Sequence, residues 1–134
     1  MTFTSDVTVP ASAFIRAAGL ELHDVTPTHV AGWIDLGPDH HQPWGIVHGG
    51  VYTTAIETAA SVGATLAVQE NGLVAVGVNN NTNLLRSMTE GRVMVDAAPI
   101  QQGRTQQLWE VRITDDQGRL VATGQVRLQN ITPR

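Results

Sequence analysis

Cysteine is absent from the 134 residues, and so is lysine, since all eight basic residues are arginine. Without cysteine there is no disulfide, no thiolate nucleophile and no cysteine zinc site. Without lysine there is neither a Walker A phosphate lysine nor a Schiff base. Charge is scarce as well: Asp, Glu and Arg together make up 15% of the chain and the net charge is -4. No basic face exists to neutralise a nucleic-acid backbone, so nucleic acid is not an expected partner. Met1 to Val9 hold no positive residue and no apolar run, which predicts no signal peptide and a cytoplasmic setting. The Asn80-Asn81-Thr82 glycosylation pattern has no role there. With 42% hydrophobic content, the chain is expected to be one domain, residues 1–134, with one core.

The apolar pattern changes period along the chain. Pro10 before residues 11–18 and Gly19 after them predict a short helix. In residues 30–36, Val30, Ile34 and Leu36 alternate with Trp33 and Asp35, a strand ended by Gly37-Pro38-Asp39. Residues 49–68 run for twenty positions without proline and with one charge, Glu57. Their length would span a membrane. Five Ser and Thr residues plus Glu57 make the run too polar for lipid, while its alanines and glycines suit a helix packed closely on protein, so no membrane partner is expected. Strands are expected at residues 73–79, 92–100, 107–114 and 120–128, with Asp116-Gln117-Gly118 as a hairpin turn. Consecutive strands after one long helix define an α+β fold, an antiparallel sheet resting one face on that helix.

Glu57 sits among Tyr52, Ala55, Ile56, Ala59 and Ala60 with no basic residue near it in sequence. Burying it unpaired would cost several kcal/mol, and such a cost implies a use. The alternative is a narrow exposed stripe on the helix. Ser61, four residues on, shares its face. His48-Gly49-Gly50 opens the same helix, where glycines let a ligand approach amides at the positive end of the helix dipole, a site suited to a developing oxyanion. His40, His41 and His48 match no zinc spacing, so no metal is expected. The run Asn79 to Asn83 reads as a solvated strand end. Gly103-Arg104-Thr105 is either a phosphate cradle or a hairpin connection, and the residues alone do not choose.

Gln42-Pro43-Trp44-Gly45-Ile46-Val47-His48-Gly49-Gly50, followed by Glu57 and Ser61, resembles the active-site segment of hotdog-fold acyl-CoA thioesterases, the group acting on 4-hydroxybenzoyl-CoA, phenylacetyl-CoA and 1,4-dihydroxy-2-naphthoyl-CoA. The likeness covers most of the chain. It implies an antiparallel sheet wrapped around one long central helix and hydrolysis of an aromatic acyl-CoA without a cofactor. It further implies Gly49 as the amide that binds the thioester carbonyl and Glu57 as nucleophile or general base. Gln42 and His48 would position the thioester, and Ser61 would assist Glu57 or water. Asn83, Arg86, Gly103, Arg104 and Thr105 would meet coenzyme A, with the two arginines on its phosphates. Family members commonly have an aromatic residue in the segment written here Leu84-Leu85-Arg86, a departure that bears on the nucleotide contacts. The resemblance also implies a homodimer with shared active sites, paired into a tetramer. Two other readings stand beside hydrolysis: a hotdog dehydratase, which would need His48 as base, and a non-catalytic acyl-CoA-binding module.

Overall fold

The computed structural model describes residues 12–134. A six-residue helix, α1 (Ala13–Ala18), leads into β1 (Leu20–Thr26) and β2 (His29–Leu36). The long helix α2 (Gly49–Val68) follows, then β3 (Val74–Leu84), β4 (Gly91–Gln102), β5 (Gln106–Thr114) and β6 (Leu120–Ile131). The strands form one sheet in the order β1-β2-β4-β5-β6-β3. Every neighbouring pair is antiparallel, and the sheet packs around α2, which is the hotdog fold.

Local chemistry explains the ends of α1. Ser12 caps it by accepting a hydrogen bond from Ile15 N–H at 3.2 Å, and Gly19 closes it in the left-handed region at φ 76°. The expected start at residue 11, behind Pro10, lies outside the described residues. Strand β1 was not expected. Its Leu20 and Val25 both face the core, but a bulge between Leu22 and Asp24 shifts the register against β2. The extra residue breaks the two-residue period by which strands are recognised.

The core forms where α2 meets the sheet. Tyr52, Ala55, Ile56, Ala59, Ala60, Gly63 and Ala64 are buried on the helix, facing Val93, Val95, Trp109, Val111, Val126 and Leu128. Small residues set the distance. A Cβ at Gly63 would lie 2.4 Å from the Trp109 ring and 2.9 Å from Val30, so only glycine admits that ring beneath the helix. The two polar residues buried beside it are satisfied: Gln107 donates to the Ala64 carbonyl and to Asn130, and accepts from Trp109 Nε1 at 2.9 Å. Asn130 in turn donates to the carbonyls of Gly103 and Arg104.

Candidate active site

Helix α2 presents its first turn as a set of amides, and most are taken. His48 is the N-cap, and its Nδ1 accepts from Gly50 N–H at 2.8 Å. The His48 carbonyl accepts from Val51 N–H at 3.0 Å. Gly49 N–H has no hydrogen-bond acceptor among the described residues. It therefore stands at the positive end of a twenty-residue helix, ready for an acceptor from outside. Because Nδ1 is engaged as an acceptor, the neutral His48 ring carries its proton on Nε2 and has no free lone pair. That removes the base a dehydratase would need.

Gly49 opens onto a cleft of about 330 Å³ that it shares with Gln42, Tyr52, Leu84, Arg86 and Met88. Gln42 is held there by a turn: its carbonyl accepts from Gly45 N–H at 3.1 Å, its side-chain oxygen accepts from Trp44 N–H, and Gly45 has φ 85°. Its amide nitrogen remains as a donor. A second tie, Val47 N–H to the Met88 carbonyl at 2.8 Å, joins this loop to the segment after β3. Tyr52 was not foreseen as part of the site. Its ring is buried and its hydroxyl has no hydrogen-bond partner, and burial pushes the phenol up to about 12.

Glu57 corrects one expectation. The side chain is exposed in the chain, not buried, because α2 lays one side on the sheet and turns Gly50, Thr54, Glu57 and Ser61 away from it at helical spacing. The apolar neighbours lie on the opposite side, so the narrow exposed stripe is what the structure contains, and no burial cost attaches to Glu57 in the chain. The carboxyl group rests against β3, where a Cβ at Gly77 would fall 3.4 Å from Glu57 Cδ. Gly77 borders a bulge, since the β3–β6 register shifts between Gly77 and Asn79. Neither Glu57 nor half-buried Ser61 has a hydrogen-bond partner among the described residues, so the two are not joined to one another.

The polar run after Gly77 is not a strand end. Strand β3 continues to Leu84, and Asn80 Nδ2 donates to the Thr53 carbonyl at 3.2 Å, tying the strand to α2 between Gly49 and Glu57. Asn83 is exposed and lines a separate shallow cleft with Glu110 and Gln125. The Gly103-Arg104-Thr105 segment is a hairpin connection whose Gly103 N–H donates to the Gln106 carbonyl at 2.8 Å. Two of its carbonyls take the Asn130 amide, so this element is first a structural turn. Arg86 and Arg104 are both exposed but lie at opposite ends of β4, one beside the start of α2 and the other near its end. A single chain does not bring them to one phosphate group. Of the three histidines between residues 40 and 48, for which no metal is expected, His40 accepts from Gly37 N–H and His41 bonds the Thr89 carbonyl at 2.7 Å. No group of three or more His, Asp or Glu side chains able to hold a metal occurs among the described residues.

Gly49 and Glu57 are separated even though one helix carries both. Eight residues place them about 12 Å apart along the axis at 1.5 Å per residue. Glu57 lines a cleft of about 460 Å³ with Phe14, Thr53 and Thr58, and none of the residues lining it lines the Gly49 cleft.

A hotdog fold whose one long helix opens on His-Gly-Gly defines a class, and comparison with known proteins gives the family. The thioesterase superfamily model matches residues 45–122, and the chain belongs to that superfamily of hydrolases. A protein of Mycobacterium tuberculosis named "Putative esterase Rv1847" is 45% identical over 131 residues, covering 96% of this chain and 91% of that protein. Its solved structure superposes with a TM-score of 0.88 over 92% of this chain and 99% of that one. The 1,4-dihydroxy-2-naphthoyl-CoA hydrolase of Listeria monocytogenes is 34% identical over 103 residues, covering 77% and 83% of the two chains. The solved thioesterase HI1161 from Haemophilus influenzae is 28% identical with a TM-score of 0.88, over 98% and 93% of the two chains. No helix among the described residues is long and apolar enough to cross a membrane.

Proposed function

We propose that the protein hydrolyses acyl-CoA thioesters, with an aromatic acyl group as the preferred substrate, at sites shared between two copies of the chain. The observation that carries this reading is the unpaired Gly49 N–H at the start of α2, facing a cleft that also holds Gln42 and Arg86. A thioester carbonyl accepting that hydrogen bond gains most when its oxygen becomes negative, so the contact favours the transition state over the ground state. Gln42 Nε2 is a second donor beside it. Arg86, with no acidic partner among the described residues, is the cation for a coenzyme A phosphate.

Glu57 supplies the attack by one of two balanced routes. As general base it takes a proton from water while the water oxygen bonds the carbonyl carbon. As nucleophile its own oxygen bonds that carbon, and water then cleaves the resulting anhydride and restores the carboxylate. In both routes the carbon–sulfur bond breaks, its electron pair leaves on sulfur, and the products are a carboxylic acid and the coenzyme A thiol.

The attacking atom must lie within roughly 3.5 Å of the carbon whose oxygen Gly49 holds. One chain cannot meet that requirement. Two α2 helices running antiparallel across a two-fold axis can, because Gly49 of one then faces Glu57 of the other and two equal sites arise. The free edge of β3 supports this assembly. It runs for 11 residues, pairs only with β6, exposes Val76 and Val78, and lies beside Glu57 at Gly77. An unpaired edge of that length is a template for a second strand. Such a dimer also brings the Arg104 end of one chain toward the Arg86 end of its partner, and it pairs further into a tetramer.

Steady-state release of free thiol from benzoyl-CoA and naphthoyl-CoA tests the reading. The protein adds no background to a thiol reagent because it has no cysteine. Turnover of these esters is the expected result. Failure to release thiol from any member of a broad acyl-CoA panel would refute hydrolysis and favour a binding module.

A further inference from the structure

The cleft beside Glu57 has a wall that the reaction as derived does not use. Phe14 projects from α1 with 68% of its surface exposed, on a helix otherwise closed by a serine cap and a glycine turn. An exposed aromatic ring on so short and well-terminated a helix is poorly explained by packing. It lines the 460 Å³ cleft with Ile15 and with Gly50, Thr54, Glu57 and Thr58 of α2. Phe14, Gly50 and Thr54 also border a neighbouring cleft of about 360 Å³ that runs on between Ala17, Val51 and His48. The two clefts are thus one groove between α1 and the exposed side of α2, with Glu57 at one end.

We propose that this groove holds the acyl group of the substrate and that Phe14 is a specificity-determining residue, stacking on an uncharged aromatic ring. The inference rests on Glu57 acting at the thioester carbon, which sets the groove beside that carbon, and charge chooses between the acyl and the coenzyme A side. Charge selects the kind of occupant. Glu57 is the only charged residue lining the larger cleft, Asp39 lines the smaller one with His40, His41 and His48, and no arginine borders either, so a phosphate or a second carboxylate would meet a carboxylate in both with no arginine to offset it. Coenzyme A phosphates and dicarboxylic acyl groups are therefore disfavoured there. An aromatic acyl group gains both apolar burial and ring contact with Phe14.

Two measurements test this. The first is the ratio of kcat/KM for benzoyl-CoA to that for acetyl-CoA. Phe14→Ala lowers the ratio about tenfold and Phe14→Trp holds it, as expected when one ring–ring contact and its buried area are removed. Because Phe14 is exposed, neither variant threatens folding. An equal loss with both substrates would make Phe14 a structural residue and overturn the proposal.

The second measurement needs no turnover. The chain has two phenylalanines, so incorporation of 4-fluorophenylalanine gives two fluorine resonances, and the Phe14→Leu variant identifies the one at position 14. S-phenacyl coenzyme A, a thioether that cannot be hydrolysed, shifts that resonance, and coenzyme A alone does not. No shift with the thioether at millimolar concentration, or the same shift with coenzyme A alone, would overturn the proposal. A wild-type protein that releases no thiol yet shows the shift separates the two claims: hydrolysis then fails and the aromatic acyl groove stands.

Discussion

Glu57 stands on the open side of α2 with its carboxyl group against Gly77, so its charge contributes little to the stability of a chain. Glu57→Gln is accordingly expected to lower kcat by ~10²-fold or more while leaving the unfolding midpoint in urea unchanged. A variant that keeps wild-type turnover would return Glu57 to an ordinary surface carboxylate. The role proposed for Arg86 is in binding instead. Arg86→Ala should raise KM for acyl-CoA more than it lowers kcat, and added salt should weaken binding less in the variant than in wild type. Equal changes in both constants would remove Arg86 from the phosphate contact. Gln42, His48, Gly49 and Glu57 could be proposed from sequence because they lie within sixteen residues at fixed spacing and carry unusual chemistry for their surroundings. Gly77 and Asn80 were not, because they act on α2 from a strand whose pairing partner is some fifty residues further along. The exposure of Glu57 was misjudged for a related reason: apolar neighbours in sequence surround a helical residue on paper, whereas a helix has two sides.

At the scale of elements, the central strands and the long helix could be read because their periods are unbroken. Strand β5 alternates through Gln107, Trp109, Val111 and Ile113 on the buried face, as its apolar pattern predicts. Strand β1 hid behind its bulge, and the second half of β3, beyond the expected end at residue 79, behind a run of asparagines that the β6 ladder holds extended. Helix position depends on Gly63. Gly63→Ala forces a methyl group into the Trp109 ring and should cost about 1–3 kcal/mol in urea unfolding. An unchanged midpoint would mean that the ring moves freely, against the close packing described.

A second stabilising device joins β1, β2 and β4. His29 Nδ1 lies 3.0 Å from Asp24 Oδ2 and Nε2 lies 2.6 Å from Asp96 Oδ1. A neutral imidazole can donate to only one carboxylate, so the arrangement favours the doubly protonated ring. The hydrogen bond to Asp96 leads in raising the His29 pKa, Asp24 adds to it, and partial burial opposes both. A raised folded value means that the stabilisation is complete below the unfolded pKa of about 6.5 and is lost as pH rises through the folded value above it. The ring and both carboxylates are well exposed, so the contribution is less than about 1 kcal/mol. The stability difference between wild type and His29→Ala should therefore shrink between about pH 5.5 and about pH 8.5. A difference that grows over that range would contradict the assignment.

At the scale of the whole molecule, one chain holds the proposed parts of a thioesterase site without assembling them. The Gly49 amide and the Glu57 carboxylate line different clefts, and Arg86 and Arg104 sit at opposite ends of β4. That an antiparallel sheet rests on one long helix was legible from sequence, whereas β1 and its place at the sheet edge were not. The separation of the site was legible only in outline, as the eight residues between Gly49 and Glu57, because which cleft each group lines depends on how α1 and the segment after β3 pack.

The most direct test of the shared site is complementation between two inactive chains, Glu57→Ala and Gly49→Pro. The second variant removes the amide hydrogen at the first helical position, where proline is accepted, after a residue that is already extended at φ -66°, ψ 129°. The Cβ it adds would fall 2.3 Å from Leu84 Cδ1, the far end of an exposed side chain that must shift to admit it. With subunit exchange verified, random pairing makes about half the dimers mixed, each with one undamaged site. The account predicts that about a quarter of wild-type thiol release returns on mixing. Exchange without any return of activity would contradict it.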